Sequence, residues 1–372
     1  MGKTFTININ QLLPGLMLAE DLIDCKTGQV LIPSETVIKE KHLERLSHFH
    51  VSGTCVVFDP SYSVKQQETI IDGYKDSTGG IKPLPELINE RTKRVYKETY
   101  EVIKNFFKKD KTITEKDLHE IKEVANNISE EIVRDPYVLP QIAVLKAIDN
   151  YTFSHSIHVA IYATTLARFL EYPAAKLKEI CSAGLLHDIG KMDIPREIVD
   201  KPAPLTDLEF KIMKKHPWYG LERLKNLKYM SKDIISAVSQ HHEKENGTGY
   251  YQGLKGAEIH PWAKILAVAD VYDAITTDRV YRKALLPHEG AEIVMGSCIG
   301  HLDYEKVKVF TREMSFYPVG TKVSSSTGEI GRVLSHHSTS PLRPLITIKK
   351  DRMEKIVDLS KKHTVLITQI FN

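Results

Sequence analysis

The sequence predicts a mainly α protein with a small α+β module at its N-terminal end and a short β-rich extension at its C-terminal end. Three observations predict this class. From about residue 84 to 312 apolar residues recur at the i, i+3, i+4 spacing of buried helix faces. Residues 4–58 mix strand-like alternation with one amphipathic helical stretch. After Tyr317-Pro318-Val319-Gly320 the chain turns to short β-type runs separated by turn residues.

The whole chain sets further bounds. Its 372 residues leave room for two or three domains. Hydrophobic residues make up 42% and charged residues 27%, enough apolar mass for a real core. The net charge of +3, from 51 basic and 48 acidic residues, gives no argument for DNA or RNA binding. It leaves room for a small anionic ligand, which needs only a local positive site. Cys25, Cys55, Cys181 and Cys298 are far apart and form no C-x-x-C pair, as expected of free thiols in a reducing cytosol. The N-terminal stretch lacks the apolar centre of a signal peptide, and Gly2 with Thr6 is weak support for myristoylation. No run approaches the roughly 20 apolar residues that span a bilayer. A cytoplasmic protein with no membrane contact is expected.

Taken in order, TFTIN alternates, a Pro-Gly turn interrupts LLPGLMLAEDLI, VIKEKHLERLSHF suits one amphipathic helix, and Val51 to Phe58 reads as a β run. Residues 59–83, rich in Ser, Gln, Asp, Gly and Pro, read as a linker. Residues 85–109 place Ile88, Val95, Tyr96, Tyr100, Val102, Ile103, Phe106 and Phe107 among charges, and a second helix is expected over 114–134. In the extension, TKVSSSTGEIGRVL, PLITIKK and HTVLITQIF read as strands. The expected boundaries are 1–58 for an accessory or regulatory module, 59–119 for a linker and helix, 120–318 for the main helical domain and 319–372 for the β-rich extension.

The chemistry lies in His and Asp residues near the ends of separate helices. In the helix leading to LLHDIGK, Leu177, Ile180, Cys181, Gly184 and Leu185 form a buried stripe, which Asp188 continues with His187 at its edge. Gly190 is expected to stop that helix. The next begins with a capping box, Thr206-x-x-Glu209, and is expected to end near His216, because Pro217 disfavours helix before it. A third starts near Ser231, and His241 and His242 extend the face of Ile234, Ile235 and Val238. A fourth puts Leu266, Ala269, Asp270 and Asp273 on one face. An earlier one, from about Thr152, aligns His155, Val159, Tyr162, Ala163 and Leu166.

Imidazole and carboxylate on buried faces are costly unless paired or bound to metal. Five helices thus direct metal-type ligands inward, and the mixture suits Fe, Mn, Zn or Ni rather than Ca. His155, His187, Asp188, His216, His241, His242 and Asp270 are too many for one ion. They suit two ions sharing a bridging carboxylate, the clamp in which metals about 3.5–4 Å apart serve in-line attack on phosphate. Each residue alone has a plainer explanation. His216 could bond a helix-end carbonyl, the His241-His242 pair could lie on the surface, and Asp188 could pair with Lys191. His158, three residues from His155, could compete for its role. His42, His48, His50, His119, His260, His288, His301 and His363 are expected outside the site, as is the His336-His337 pair in its polar turn.

Together these motifs resemble a known family. HS-x-x-VA at 155–160, LLHDIGK at 185–191, KP-x-P-LT-x-x-E at 201–209, HP-x-x-G at 216–220, HHE at 241–243, NGTGYYQGL at 246–254 and VADVYDAITTDRVYR at 268–282 are similar to the HD-GYP branch of the HD phosphohydrolase superfamily. The resemblance covers about residues 120–318, YPVGTKV and GEIGRV resemble a tail that often follows the domain, and residues 1–58 loosely resemble its N-terminal modules. It implies an all-helical domain with a two- or three-metal site, often iron or manganese, with nickel or zinc as alternatives. It implies hydrolysis of bacterial cyclic dinucleotides, cyclic di-GMP or 3′,3′-cyclic GMP-AMP, to the linear product. It also implies that Asp188 bridges the metals, with His155, His187 and Asp270 on one ion and His216, His241 and His242 on the other. Lys191 would contact the scissile phosphate, Arg279 and Arg282 phosphate or guanine, and Asp273 would stand on the site wall.

The chain departs from the family pattern in three places. Gly249-Tyr250-Tyr251 stands where the family has Gly-Tyr-Pro, in a loop expected to shape the base pocket, with Tyr250 as a substrate contact. Tyr151 occupies the position of a glutamate that recruits a third metal in some members, so two metals are expected. Arg279-Val280-Tyr281-Arg282 replaces Arg-Pro-Tyr-Arg. A catalytically slow cyclic dinucleotide receptor signalling through its N-terminal module is the alternative reading, as is another HD nucleotide phosphohydrolase. A homodimer or a signalling-protein partner is the expected company.

Overall fold

The structure, a computed structural model, describes residues 4–8, 18, 20–23, 30–34, 36, 38, 42, 46, 54–58, 88–109, 113–137, 151–227, 230–278, 283–335, 340–350 and 353–371. The chain divides into two compact units, 1–82 and 83–372.

In the first unit, strands β1 (Thr4–Asn8) and β4 (Thr54–Phe58) pair antiparallel, with Thr4 opposite Phe58 and Asn8 opposite Thr54. Strands β2 (Leu22–Ile23) and β3 (Val30–Ile32) form a second antiparallel pair. Leu18, Leu22, Leu31, Ile32, Ile38 and Leu46 are buried. Most of the helix expected over VIKEKHLERLSHF and all of the linker expected at 59–83 lie outside the described residues.

The second unit is helical. Its elements are α1 (Glu90–Lys108), α2 (Glu115–Arg134), α3 (Tyr151–Phe169), α4 (Ala174–Leu186), a 3₁₀ turn over Ile189–Asp193, α5 (Arg196–Val199), α6 (Asp207–Met213), α7 (His216–Leu224), α8 (Lys232–Gln240), α9 (Pro261–Thr276), α10 (Pro287–Gly296) and α11 (Tyr304–Glu313). The starts are set by local chemistry. The Asn89 side chain caps α1, Thr114 and Asp117 form a capping box on α2, Thr206 and Glu209 one on α6, and Ser231 caps α8.

Helix α3 packs on α4 and α9, and α8 packs on α4, α7 and α9. An aromatic cluster of Tyr162, Tyr272, Phe310 and Phe316 fixes α3, α9 and α11 together, with the Tyr162 and Tyr272 rings 5.2 Å apart. Helix α1 joins the same unit. Its Arg91 lies 2.6 Å from buried Glu131 of α2, and Val95, Ile103 and Phe106 enter the common core.

The C-terminal residues form a five-stranded antiparallel sheet in the order β8-β7-β6-β5-β9, from β5 (Lys322–Ser325), β6 (Ile330–Ser335), β7 (Leu345–Lys350), β8 (Met353–Asp358) and β9 (Ile367–Phe371). Val323, Val333, Ile346 and Val357 belong to one hydrophobic core with the helices. The mainly α class with a β-rich C-terminal segment agrees with the sequence reading. Among the described residues no helix is long and apolar enough to cross a membrane.

Two local expectations are corrected. His216 begins α7 rather than ending α6, because Pro217 sits in the first turn of a helix, where its missing N–H costs nothing. Helix α4 ends at Leu186, before Gly190, and the chain tightens into the 3₁₀ turn. Gly190 is needed for close approach instead: a Cβ there would lie 1.9 Å from the His216 carbonyl oxygen and 2.5 Å from the Gly220 nitrogen. Only a glycine lets α7 bring His216 against the Asp188 turn.

Gly190→Ala is therefore expected to destabilise the fold by about 1–3 kcal/mol, as overpacking does. Gly296→Ala, where an added Cβ meets nothing within 4 Å, serves as the control. It is expected to leave stability unchanged or raise it by up to about 1 kcal/mol. Chemical denaturation of both variants checks the contrast.

Candidate metal centre

The side chains named from the sequence converge on one buried place. His155 comes from the first turns of α3, His187 and Asp188 from the end of α4, His216 from the start of α7, His241 and His242 from the end of α8, and Asp270 from the middle of α9. All are buried except His242, which is partly exposed. The helices deliver these groups inward because the apolar stripe of each already faces the core.

Asp188 occupies the centre. Its Oδ2 lies 2.6 Å from Lys191 Nζ, 3.3 Å from His187 Nε2 and 3.7 Å from His155 Nε2, and its Oδ1 lies 3.4 Å from His216 Nε2. Asp270 flanks it, with Oδ1 3.2 Å from His155 Nε2 and Oδ2 3.8 Å from His242 Nδ1. His216 Nε2 and His241 Nε2 are 3.3 Å apart. Two sets of donor atoms fall within 4.8 Å of one another, His155 with His187 and Asp188, and His216 with His241 and His242.

The imidazoles are held in one orientation. Nδ1 of His187 donates to the Gly184 carbonyl at 2.8 Å, His216 to Met213 at 2.8 Å and His241 to Val238 at 2.7 Å. With the proton on Nδ1, each ring turns its Nε2 lone pair to the centre, the usual device for fixing a metal-binding tautomer. His155 uses a carboxylate instead, with Nδ1 2.7 Å from Asp273 Oδ2.

The electrostatics suit a cation. Burial lowers the pKa of His216 to about 3 and of His242 to about 4, and drives that of His241 well below its usual value, so these rings are neutral. Burial opposes ionisation of Asp188, but the Lys191 ammonium and the nearby His187 ring outweigh it and hold the carboxyl well below the usual range. Burial likewise disfavours charge on His155, yet hydrogen bonds to Asp270 and Asp273 raise its pKa to about 9. The His187 Nε2 and Asp188 Oδ1 atoms are buried with no hydrogen-bond partner. Orphaned polar atoms among imidazoles and ionised carboxylates fit a divalent metal of the transition series.

Comparison with known proteins finds relatives of this region. Residues 139–303, which contain every proposed ligand, match the family model of the HD domain, and residues 323–372 match that of the KOW domain associated with HD domain. This stretch of the chain is similar to an HD domain. It is 37% identical over 247 residues to cyclic di-GMP phosphodiesterase PA4108 of Pseudomonas aeruginosa, covering 64% of this chain and 59% of that protein. It is 37% identical over 142 residues to 3′3′-cGAMP-specific phosphodiesterase 3 of Vibrio cholerae, covering 38% and 31%. The chain thus spans less than two thirds of the length of these relatives. The structure of Bd1817, an HDG"Y"P protein from Bdellovibrio bacteriovorus, aligns with a TM-score of 0.48 at 19% identity, covering 83% of this chain and 98% of that one.

Around the centre, the remaining expected residues fall in different places. Lys191, partly exposed, stands at the mouth with its ammonium on Asp188. The Tyr250 ring lies 4.7 Å from the His242 ring, and burial raises its pKa, so the phenol keeps its proton. Asp273 differs from the expected wall residue. Its side chain is fully buried, and its oxygens receive His155 Nδ1, His158 Nδ1 at 3.0 Å and the Thr277 hydroxyl at 3.0 Å. It orients His155 from behind. Arg279 and Arg282 lie outside the described residues, as does the His336-His337 pair.

One contributor escaped the sequence reading. Buried Glu243 accepts the backbone N–H groups of Gln252 at 2.7 Å, Gly253 at 3.1 Å and Leu254 at 3.0 Å, clamping the 246–254 loop over the centre. Its place directly after the histidine pair and before a Gly-rich stretch was the available signal. Gly249 fits beneath the clamp, where a Cβ would lie 2.4 Å from the Glu243 Cα.

Glu243→Gln keeps the size of the side chain but gives up one acceptor oxygen. About 1–3 kcal/mol of protection is expected to be lost at the loop amides. Hydrogen exchange of the peptide containing Gln252 to Leu254 should speed up accordingly, while exchange in α3 stays unchanged.

Proposed function

We propose that the chain is a metal-dependent phosphodiesterase that hydrolyses a cyclic dinucleotide, cyclic di-GMP or 3′,3′-cyclic GMP-AMP, to its linear form. The observation that carries this reading is Asp188, whose two oxygens face the two histidine sets within one buried centre. His155, His187 and Asp270 would hold one ion and His216, His241 and His242 the other, with Asp188 shared. Iron or manganese is the preferred metal, since imidazole with carboxylate suits both. When bound, such ions supply Lewis-acid activation of water and compensation of phosphate charge.

The chain's own residues supply the rest. Lys191 brings a partly exposed ammonium to the mouth, where it can offset charge developing on the phosphoryl oxygens. Water adds to phosphorus, the bond to the 3′ oxygen breaks, and that oxygen leaves with a proton as the ring opens. Tyr250 offers a flat, uncharged face beside His242 on which a base can rest. Lys214, with its Nζ 4.7 Å from the Phe210 ring and 5.5 Å from the Tyr250 ring, adds positive charge at the rim. Arg279 and Arg282 would complete the contacts to phosphate or guanine. Glu243 keeps the Tyr250 loop seated without meeting the substrate. A cytoplasmic location is part of this proposal.

Protein purified without oxygen and loaded with Fe(II) or Mn(II) is expected to convert cyclic di-GMP or cyclic GMP-AMP to the linear dinucleotide, followed by chromatography. Lys191→Ala should lower kcat by about 10²–10³, the scale for losing one charge-stabilising donor. Asp188→Ala should lose both metal and turnover. Tight nucleotide binding with no product would mark a receptor, and normal hydrolysis by Asp188→Ala would contradict the mechanism.

A further inference from the structure

Behind the metal centre runs a line of polar groups that the proposed reaction does not use. His158 is buried on α3, one turn beyond His155. Its Nδ1 lies 3.0 Å from Asp273 Oδ1, and its Nε2 lies 3.0 Å from the hydroxyl of Tyr96 on α1. The Tyr96 and His158 rings also stack, with centroids 6.2 Å apart. Asp273 in turn accepts a hydrogen bond from Nδ1–H of His155, whose Nε2 points at Asp270 and Asp188.

The donor and acceptor inventory gives this line one direction. An ionised Asp273 only accepts, so both His155 and His158 must present Nδ1–H to it. In neutral His158 the Nε2 is then an acceptor, and the group facing it is the Tyr96 O–H. Tyr96 therefore selects the His158 tautomer that donates to Asp273. Without that hydroxyl the ring can carry its proton on Nε2 and turn a lone pair toward the carboxylate, which repels it. Asp273 would lose one of three donors, and the carboxylate that orients His155 would be free to rotate.

We propose that Tyr96 and His158 are positioning residues for the metal centre, acting through Asp273 on His155, so that α1, which precedes the HD match at 139–303, helps set the affinity for metal. The geometry rules out a ligand role for His158 itself, since both its nitrogens are engaged away from the centre. Helix α1 is held for the task. Buried Glu131 of α2 accepts the Thr92 hydroxyl at 3.1 Å and pairs with Arg91 at 2.6 Å, which fixes the turn that precedes Tyr96. This inference rests on the metal-centre reading, and its test is separate from catalysis.

The test is a double-mutant cycle on the full chain, with Mn(II) affinity measured by competition with a chromophoric chelator. Tyr96→Phe removes one oxygen and keeps the stacked ring. Loss of a group behind a metal ligand typically costs about 10–100-fold in affinity, so His158→Leu is expected near tenfold and the more distant Tyr96→Phe at about threefold or more. In the His158→Leu background, Tyr96→Phe should change affinity by less than about twofold, because its route is already cut. Lys93→Ala, on the same helix, is the control and should bind Mn(II) as the parent does. Should His158→Leu fail to fold, His158→Gln replaces it in the cycle.

Tyr96→Phe with parental Mn(II) affinity overturns the proposal, as does an equal effect in both backgrounds. A lower melting temperature of the metal-free protein with unchanged affinity would mark a purely structural contact, and also overturns it. A parent chain that binds no Mn(II) overturns both this inference and the metal centre. The expected cycle in a protein that leaves cyclic dinucleotides intact would sustain the inference and sink the proposed substrate instead.

Discussion

Two carboxylates, Asp188 and Asp270, are buried in the middle of five imidazoles, and the rest of the helical unit is arranged around that fact. Burying an unpaired carboxylate costs several kcal/mol even after relaxation, roughly, because water no longer solvates it. A single lysine at the mouth offsets part of this through Asp188, and hydrogen bonds from His155 help Asp270. The orphaned His187 Nε2 and Asp188 Oδ1 show that neighbouring side chains leave the centre's polar capacity unfilled. A divalent cation held by these side chains would turn this cost into a gain.

That constraint explains the architecture better than helix propensity does. The ligands come from α3, α4, α7, α8 and α9, so no one or two helices could build the centre. Their relative positions must be held closely, and several close contacts in the fold serve this. Gly190 lets the α7 start reach Asp188, and the Tyr162–Tyr272 contact ties the helix of His155 to the helix of Asp270. Backbone carbonyls of Gly184, Met213 and Val238 fix three of the rings. Glu243 then closes the loop bearing Tyr250 over the result.

Much of this was legible in the sequence because burial and chemistry point the same way on these helices. Asp188 and Asp270 continue apolar stripes, which marks them as inward-facing without any structural knowledge. His241 and His242 follow Ile234 and Val238 for the same reason. What was misread is what depends on the neighbouring chain. Pro217 signals a break, but only packing against Gly190 reveals that the break opens a new helix at His216. Asp273 shares a stripe with Asp270, yet one turn of rise carries it behind His155, where it meets His158 and Thr277 rather than substrate. Glu243 gave no periodic signal, because its partners are backbone amides nine to eleven residues on. The line from Tyr96 joins residues 62 positions apart and has no local pattern at all.

The central claim is most directly tested by anomalous diffraction at the manganese edge, from crystals of the chain grown with Mn(II). Two peaks about 3.5–4 Å apart are predicted, one against His155 and His187, one against His216 and His241, with Asp188 between them. A single peak, or none among these residues, would contradict the account.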